Sequence, residues 1–284
     1  MLEIDTDLHP RSHGRLGRLP AGLAALGLLL ASLTSPVAAA SEPTKTAKSP
    51  AASMVTIPGG SFESVLPPAK DVKQVRIESF RLDRTPVTNA RFAAFLRQHP
   101  EWRRDKVARV FADQQYLSHW QSALEPGEEN LQRPVVHVSW FAASAYCESQ
   151  GGRLPTWHEW EYVAAASSTQ RDARNDPAWR QQILSWYSRS GRGPLPVVGG
   201  TPANVYGVQD LHGVIWEWVD DAGSMLVSSD NREQSDPDLM RFCGEGALTM
   251  EQKENYATLM RIAMLSSMKA SYTSATMGLR CASK

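Results

Sequence analysis

The first part of the chain carries the alternation of apolar and polar residues that half-buried strands require. Residues 75–82 (VRIESFRL) largely alternate between the two kinds, and residues 54–62 (MVTIPGGSF) form a short β-type run that reaches a glycine pair. A period of two places one face of a strand against a core and the other toward solvent. We therefore predict a strand over 54–62 that enters a turn and a second strand over 75–82.

Three further segments have apolar residues at helical spacing, and each follows a residue type that caps helices. The segments and their caps are 88–96 with Thr88 or Asn89, 140–150 with Ser139, and 157–166 with Thr156. Glu159 follows Thr156 by three residues, which completes a capping-box pattern. The glycine pair at 151–152 is expected to end the second helix.

Several other segments of the chain lack a helical or strand period, and their sequence favours loops. Residues 181–187 fit no single element, and residues 188–214 are rich in glycine and proline, which favours turns. Two stretches, about 99–132 and about 222–255, look like insertions into the framework. We find no internal repeat.

The N-terminal 53 residues are typical of export and not of the fold. Arg11, Arg15 and Arg18 precede a short apolar run over 21–31, and the small residues Ala38 and Ala40 follow. This order predicts a cleavable signal peptide over 1–40. A membrane anchor is the alternative, but the run is shorter than the roughly 20 residues that a span needs. We expect the general export route, a flexible tether over 41–53, one domain over 54–284, and a periplasmic protein without a stable membrane span.

Composition narrows the class of function. The chain of 284 residues has 30 Lys+Arg against 30 Asp+Glu, and this balance argues against a nucleic-acid partner. All nine tryptophans lie between Trp102 and Trp218, which predicts a rigid core in that part of the chain. In an oxidising compartment, two of Cys147, Cys243 and Cys281 can form a disulfide and one is left over.

Several sequence blocks occur in an order that is more specific than any one of them. They are MVTIPGGSF (54–62), PVTN (86–89), PVVHVSW (134–140), AYC (145–147), GGRLPT (151–156), EWEY (159–162), YGVQDLHG (206–213), IWEWV (215–219) and GLRC (278–281). Together they resemble the formylglycine-generating enzyme (sulfatase-modifying factor) family over nearly the whole mature chain. The resemblance implies a mixed α/β fold (α+β) of that enzyme type, related to C-type lectins and low in regular secondary structure.

The cysteines of this chain fit the family only in part. The resemblance implies a disulfide between Cys147 and Cys281. It also implies that the oxidase members bind copper(I) through two thiolates, the soft ligands that copper(I) selects. The corresponding window here, 252–257 (QKENYA), contains no cysteine, and Cys243 lies outside it. We therefore expect no copper and no formylglycine formation by the family's usual route.

A calcium site can be argued from residues 210–217, where the YGVQDLHG block meets the IWEWV block. By resemblance, its ligands are the carboxylates of Asp210 and Glu217 with the carbonyls of Gly213 and Ile215. Ligation by oxygen alone suits a hard cation. The alternative is a loop that ordinary hydrogen bonds hold in place.

The histidines and methionines give weaker signals. His158 and Glu161 are three residues apart on a predicted helix, and we interpret them as an exposed polar face in preference to a metal site. His212 borders a pocket in this interpretation. Met260, Met264 and Met268 share one helix face with Met250, which indicates core packing in preference to a copper site.

The exported architecture, the missing copper thiols and the tail 260–281 resemble periplasmic family members of siderophore maturation. The implied reaction is the oxidation of dihydropyoverdine to pyoverdine, with a siderophore-peptide precursor as substrate, other periplasmic maturation enzymes as partners, and an electron acceptor that the sequence does not identify. The candidate catalytic residues are Glu217, Cys243, Lys269 and Arg280, and the candidate substrate-binding residues are Trp216, Ser266 and Ser267.

Alternatives stay open at this point. Arg280 has a structural alternative, in which it pairs with a core carboxylate, and Cys243 has the alternative of an inert thiol. The whole chain is alternatively a non-catalytic module that binds a peptide or glycan, or a formylglycine-generating oxidase with a rearranged site.

Overall fold

The computed structural model describes residues 54–68, 72, 74–189, 193–222 and 256–284. The predicted signal peptide and tether, Cys243, Met250 and residues 223–255 of the predicted second insertion lie outside the described residues. Among the described residues, no helix combines the length and apolar character needed to cross a membrane.

In the described part of the chain, seven short strands form three small sheets. The strands are β1 (Met54–Ile57), β2 (Gly60–Phe62), β3 (Val75–Ile77), β4 (Phe80–Asp83), β5 (Trp216–Glu217), β6 (Met277–Gly278) and β7 (Ala282–Ser283). The order β1-β4-β7 makes an antiparallel sheet, β2 pairs with β3 in antiparallel fashion, and β5 pairs with β6 in parallel.

Each of the two strands predicted near the N-terminus is divided in the structure. The first stops at Ile57 and resumes at Gly60, and the second stops at Ile77 and resumes at Phe80. The pairing register continues across the break, since Ile57 faces Phe80 and Gly60 faces Ile77. The two segments therefore form one antiparallel hairpin that bends between two sheets.

The described residues also form five α-helices. They are α1 (Asn89–Gln98), α2 (Trp140–Ser149), α3 (Trp157–Ala164), α4 (Pro177–Arg189) and α5 (Tyr256–Ser267), with short 3-10 turns at Pro100–Trp102 and Glu128–Asn130. Thr88, Ser139 and Thr156 cap the first three helices, as the sequence predicts, and the capping box with Glu159 is formed. The ambiguous segment 181–187 lies within α4. The described part of 193–214 has neither helix nor strand, in agreement with the predicted turns.

The core is built around tryptophan, and α2 is joined covalently to the C-terminal strand. Trp157, Trp160 and Trp218 are among the largest fully buried side chains. A disulfide joins Cys147 in α2 to Cys281, the residue before β7, across 134 positions of sequence. The pair is the one that the family resemblance implied.

Candidate functional site

A buried ion pair between Glu217 and Arg280 lies at the centre of the region where the sequence places the site. β5 and β6 run in parallel with Glu217 opposite Gly278, which brings Arg280 to the same carboxylate. The Arg280 Nε lies 2.9 and 3.0 Å from the two carboxylate oxygens, and Nη2 lies 2.9 Å from Oε1. Both side chains are completely buried.

Other groups use the remaining hydrogen-bonding capacity of this pair. The Trp160 indole donates to Glu217 Oε2 at 2.8 Å. Arg280 also donates to the backbone oxygens of Asp83 and Gln209, at 3.0 and 2.9 Å. A charge pair that is buried and fully hydrogen-bonded holds elements together and does not face a substrate. The geometry therefore favours the structural alternative for Arg280, in which it pairs with a core carboxylate. Glu217 is that carboxylate, so the geometry favours a structural role over a catalytic role for both residues.

The carboxylates expected to bind calcium already accept hydrogen bonds from protein groups. Both Glu217 oxygens accept from Arg280. Asp210 accepts at 3.0 and 2.9 Å from the backbone N–H and hydroxyl of Thr201, and its other oxygen accepts from the Gly199 N–H. Among the described residues, no group of three His, Cys, Asp or Glu is placed to hold a metal ion. Hydrogen bonds thus engage both carboxylates, and calcium binding stays a prediction.

The side-chain positions of Gly213 and Ile215, whose carbonyls are the other two expected calcium ligands, are closely packed. Gly213 has φ +77°, and a Cβ at this position would lie 2.4 Å from the Cβ of Trp186 in α4. Only glycine allows this approach of helix to loop. Ile215 is buried in the core, with 5% of its surface exposed.

The expected substrate-binding residues are not brought together by contacts. Trp216 is partly buried and stacks on Tyr187 of α4, with ring centroids 5.3 Å apart. The hydroxyls of Ser266 and Ser267 donate to carbonyl oxygens one turn earlier in α5, and Lys269 is exposed just after that helix. In the described part of the chain, no hydrogen bond or ring contact joins these tail residues to Trp216.

Two of the minor expectations need correction. Glu161 is not on an exposed face: it is buried, and accepts from the Val65 N–H at 2.8 Å and from the Ser64 hydroxyl. It anchors the loop after β2 to α3. Met260 is 44% exposed and so does not pack in the core. Met264 and Met268 are partly buried and pack against the core.

Arg261 is the residue of this region that sequence reasoning missed. It is completely buried in α5, and its guanidinium lies over the face of Trp160, 3.6 Å from the ring centroid. Nη2 donates to the Glu217 carbonyl oxygen. Burial lowers the pKa of Arg261 to about 10, since desolvation disfavours the charged form. The available signal was its position four residues before Leu265 and seven before Met268, on the apolar face of the helix.

His212 lies against the same tryptophans. Its Nε2 is 2.9 Å from the Ala164 oxygen, so this nitrogen carries the proton and donates. Its ring lies 5.9 Å from that of Trp160 and 6.1 Å from that of Trp179, centroid to centroid. Burial lowers the pKa of His212 to about 4 and keeps the ring neutral at neutral pH.

Short strands, capped helices, a tryptophan core and a buried Glu–Arg pair define a mixed α/β domain with little regular secondary structure. The family described as the sulfatase-modifying factor enzyme 1-like domain matches residues 39–284, and the chain belongs to this family.

Individual relatives agree with this membership. The chain is 30% identical over 208 residues to a Bos taurus protein named inactive C-alpha-formylglycine-generating enzyme 2, covering 58% of this chain and 69% of the relative. It is 29% identical over 257 residues to the formylglycine-generating enzyme of Streptomyces coelicolor, covering 74% and 80%. The solved structure of PvdO from Pseudomonas aeruginosa aligns with 17% identity and a TM-score of 0.44, covering 81% of this chain and 93% of that one.

Proposed function

We propose that this chain is an exported oxidoreductase of siderophore maturation, which oxidises dihydropyoverdine to pyoverdine in the periplasm. The observation that carries the proposal is the combination of family membership with a window 252–257 that contains no cysteine. A family member without paired thiolates cannot form the two-sulfur copper(I) site, so the scaffold is free for another oxidation. The signal-like N-terminus and the tail 260–281 support the periplasmic assignment and the siderophore substrate.

The proposed reaction removes two electrons and two protons from a catechol-like dihydroquinoline. Catechols and their relatives oxidise readily, so the protein needs chiefly to bind and orient the flat ring and to accept a proton. Trp216 and Tyr187 offer a stacked pair of partly exposed rings suited to such a substrate. Lys269 is the one exposed cation among the three candidate catalytic residues that the structure describes, and it remains in the proposal as a contact to the peptide portion.

The first experiment compares siderophores secreted with and without the gene. Deletion is expected to replace fluorescent pyoverdine by a product heavier by two hydrogens, which mass spectrometry detects. An unchanged siderophore would overturn the proposal. Purified protein is then incubated with dihydropyoverdine in air and under anaerobic conditions; turnover only in air identifies dioxygen as the acceptor, with hydrogen peroxide as the second product.

Residue variants sharpen this assay. Trp216→Ala is expected to raise the KM for dihydropyoverdine, because it removes one ring of the stacked pair. Val197→Ala serves as a control, since Val197 is an exposed apolar residue of the 193–214 loop. Cys243→Ser tests the left-over thiol directly, and full activity would remove Cys243 from the catalytic residues.

A non-catalytic binding module of the same fold is the second candidate. It is favoured by the complete burial of Glu217 and Arg280, which leaves two of the four candidate catalytic residues without access to substrate. The bovine relative is also named as inactive. This candidate predicts that dihydropyoverdine, a peptide or a glycan binds without conversion. Equilibrium binding by calorimetry with no accompanying two-hydrogen mass change would support it over the oxidoreductase.

A further inference from the structure

Among the described residues, the buried region around Trp160 contains two positive charges and only one negative charge. Arg261, Arg280 and Glu217 are all completely buried, and the single carboxylate is already bound by Arg280 through both of its oxygens. His212 is neutral because burial lowers its pKa to about 4, and Tyr187 is neutral because burial raises its pKa to about 12. Within the described part of the chain, Glu217, Tyr187 and Arg280 act on the Arg261 charge, and none of them supplies a second negative charge.

Arg261 also lacks hydrogen-bond acceptors. Its Nη2 donates to the Glu217 carbonyl, but Nε and Nη1 are buried without a partner. A guanidinium has five N–H donors, and these two nitrogens carry three of them. An unpaired buried donor costs free energy, and the cost is higher for a charged group. A structural arginine would have these donors satisfied, as Arg280 does.

Other unpartnered polar atoms lie in the same cluster of rings. The indole nitrogens of Trp157 and Trp179 are buried and have no acceptor among the described residues. The second ring nitrogen of His212 is also buried, and it has no donor. Trp157 stacks on Trp160, and Trp179 packs edge-on against His212. Five of the eight unpartnered buried side-chain atoms in the described residues therefore belong to this one cluster. Buried polar atoms in native proteins are almost always paired, and four of these five atoms are donors, so the cluster is short of hydrogen-bond acceptors.

We propose that Arg261, with Trp160 beneath it, binds the oxyanion of a planar aromatic ligand, either a carboxylate or a catecholate. A carboxylate or a pair of catecholate oxygens matches the fork of guanidinium donors, and the negative charge balances the buried cation. The stacked rings of Tyr187 and Trp216 lie beside Glu217, whose carbonyl already contacts Arg261, and they fit a flat ligand. The identity of the natural ligand as the siderophore chromophore rests on the proposed function; the anion site itself does not.

The test is a binding titration of the purified protein without turnover, under anaerobic conditions, followed by tryptophan fluorescence. The probes are benzoate, catechol and 3,4-dihydroxybenzoate, with benzamide as the neutral analogue. Benzoate and 3,4-dihydroxybenzoate are expected to bind and benzamide is not, if the carboxylate is recognised. Binding of catechol and 3,4-dihydroxybenzoate, with none of benzoate, would assign the catecholate.

Variants separate a binding residue from a structural one. Arg261→Met keeps the length of the side chain and removes the charge, and is expected to weaken probe binding by about 10- to 100-fold, equivalent to one or two charge-assisted hydrogen bonds. Without ligand its melting temperature is expected to stay equal or rise, because an unbalanced buried charge is removed. Arg76→Met is the matched control, since Arg76 is exposed and pairs only with exposed Glu78.

The proposal is overturned if no probe binds the wild-type protein, or if Arg261→Met binds as well as wild type. Should Arg261→Met fail to fold, Arg261→Lys decides: it keeps the charge without the planar fork, so weak probe binding supports the site and unchanged binding contradicts it. These outcomes are independent of the proposed function, because a protein that binds the anion and does not oxidise dihydropyoverdine keeps the site and loses only the enzyme assignment.

Discussion

At the scale of single residues, stability depends strongly on the Glu217 carboxylate, because both of its oxygens accept from the buried Arg280 guanidinium. Glu217→Gln removes the charge that this guanidinium contacts directly. We expect a loss of about 3–5 kcal/mol in the free energy of unfolding, the usual cost of breaking a buried pair on one side. Urea denaturation followed by fluorescence measures it. Glu78→Gln, in a pair whose side chains are more than 80% exposed, is the control and should change nothing measurable.

His212 should make the fold sensitive to acid. Its folded-state pKa of about 4 lies below the ordinary value of 6.5, so the unfolded chain binds the extra proton more readily. The stability contributed by neutral His212 is present above pH 6.5 and is lost as the pH falls toward 4, by about 3 kcal/mol in total. His212→Gln should flatten the decline of the urea midpoint over this range. A decline as steep as that of wild type would contradict the assignment to His212.

The residues that sequence reasoning placed wrongly are charged residues inside the core. Polar type alone predicts exposure for Glu161 and gives no reason to select Arg261, yet both are buried. What decides their burial is a partner from elsewhere in the chain: Ser64 and Val65 for Glu161, and Trp160 for Arg261. A single sequence shows the spacing on one helix but not which distant residue packs against it.

At the scale of elements, local signals predicted helices better than strands. The caps of α1, α2 and α3 depend on hydrogen bonds within three residues, and each is formed as predicted. The alternation in the hairpin gave the correct faces but not the bend. That bend depends on contacts across the sheet, since a Cβ on Gly59 would lie 2.7 Å from the Ile77 oxygen.

The capping box of α3 allows a direct test of a local signal. Thr156 accepts from the Glu159 N–H, and the Glu159 carboxylate accepts in turn from the Thr156 N–H at 2.9 Å. Thr156→Ala removes one of these two bonds and should cost about 1 kcal/mol of unfolding free energy in a urea titration. Thr156→Ser keeps the hydroxyl and should retain most of the stability. Equal losses in the two variants would show that the methyl group matters and the cap does not.

At the scale of the whole molecule, the order of the sequence blocks predicted the fold, because each block forms a contact that closes the domain. The GLRC block supplies Arg280 to the ion pair and Cys281 to the disulfide, and the strands at its two ends, β6 and β7, pair with β5 and β4. The site was harder to predict, because a residue of the family pattern can serve either the fold or the chemistry. Arg280 and Glu217 are part of the family pattern, but their role in this chain is to close the core.

The disulfide between Cys147 and Cys281 should therefore contribute strongly to the free energy of unfolding, because it attaches the C-terminal segment to α2. The bond closes a loop of 134 positions, and loops of this size give about 4–5 kcal/mol of stabilisation through the entropy of the unfolded chain. The double variant Cys147→Ala, Cys281→Ala should lower the urea midpoint by a corresponding amount, and a reducing agent should lower the wild-type midpoint equally.

Cys243→Ser provides the control for that loss, since Cys243 is outside the bonded pair and its removal should leave the midpoint unchanged under oxidising conditions. Reductant should then lower the midpoint of Cys243→Ser as far as that of wild type and leave the double variant unaffected. If the double variant were as stable as wild type, the C-terminal strand would be held by other contacts alone. The Glu217–Arg280 pair is one of these contacts, because it joins β5 to the residue next to Cys281 without a covalent bond.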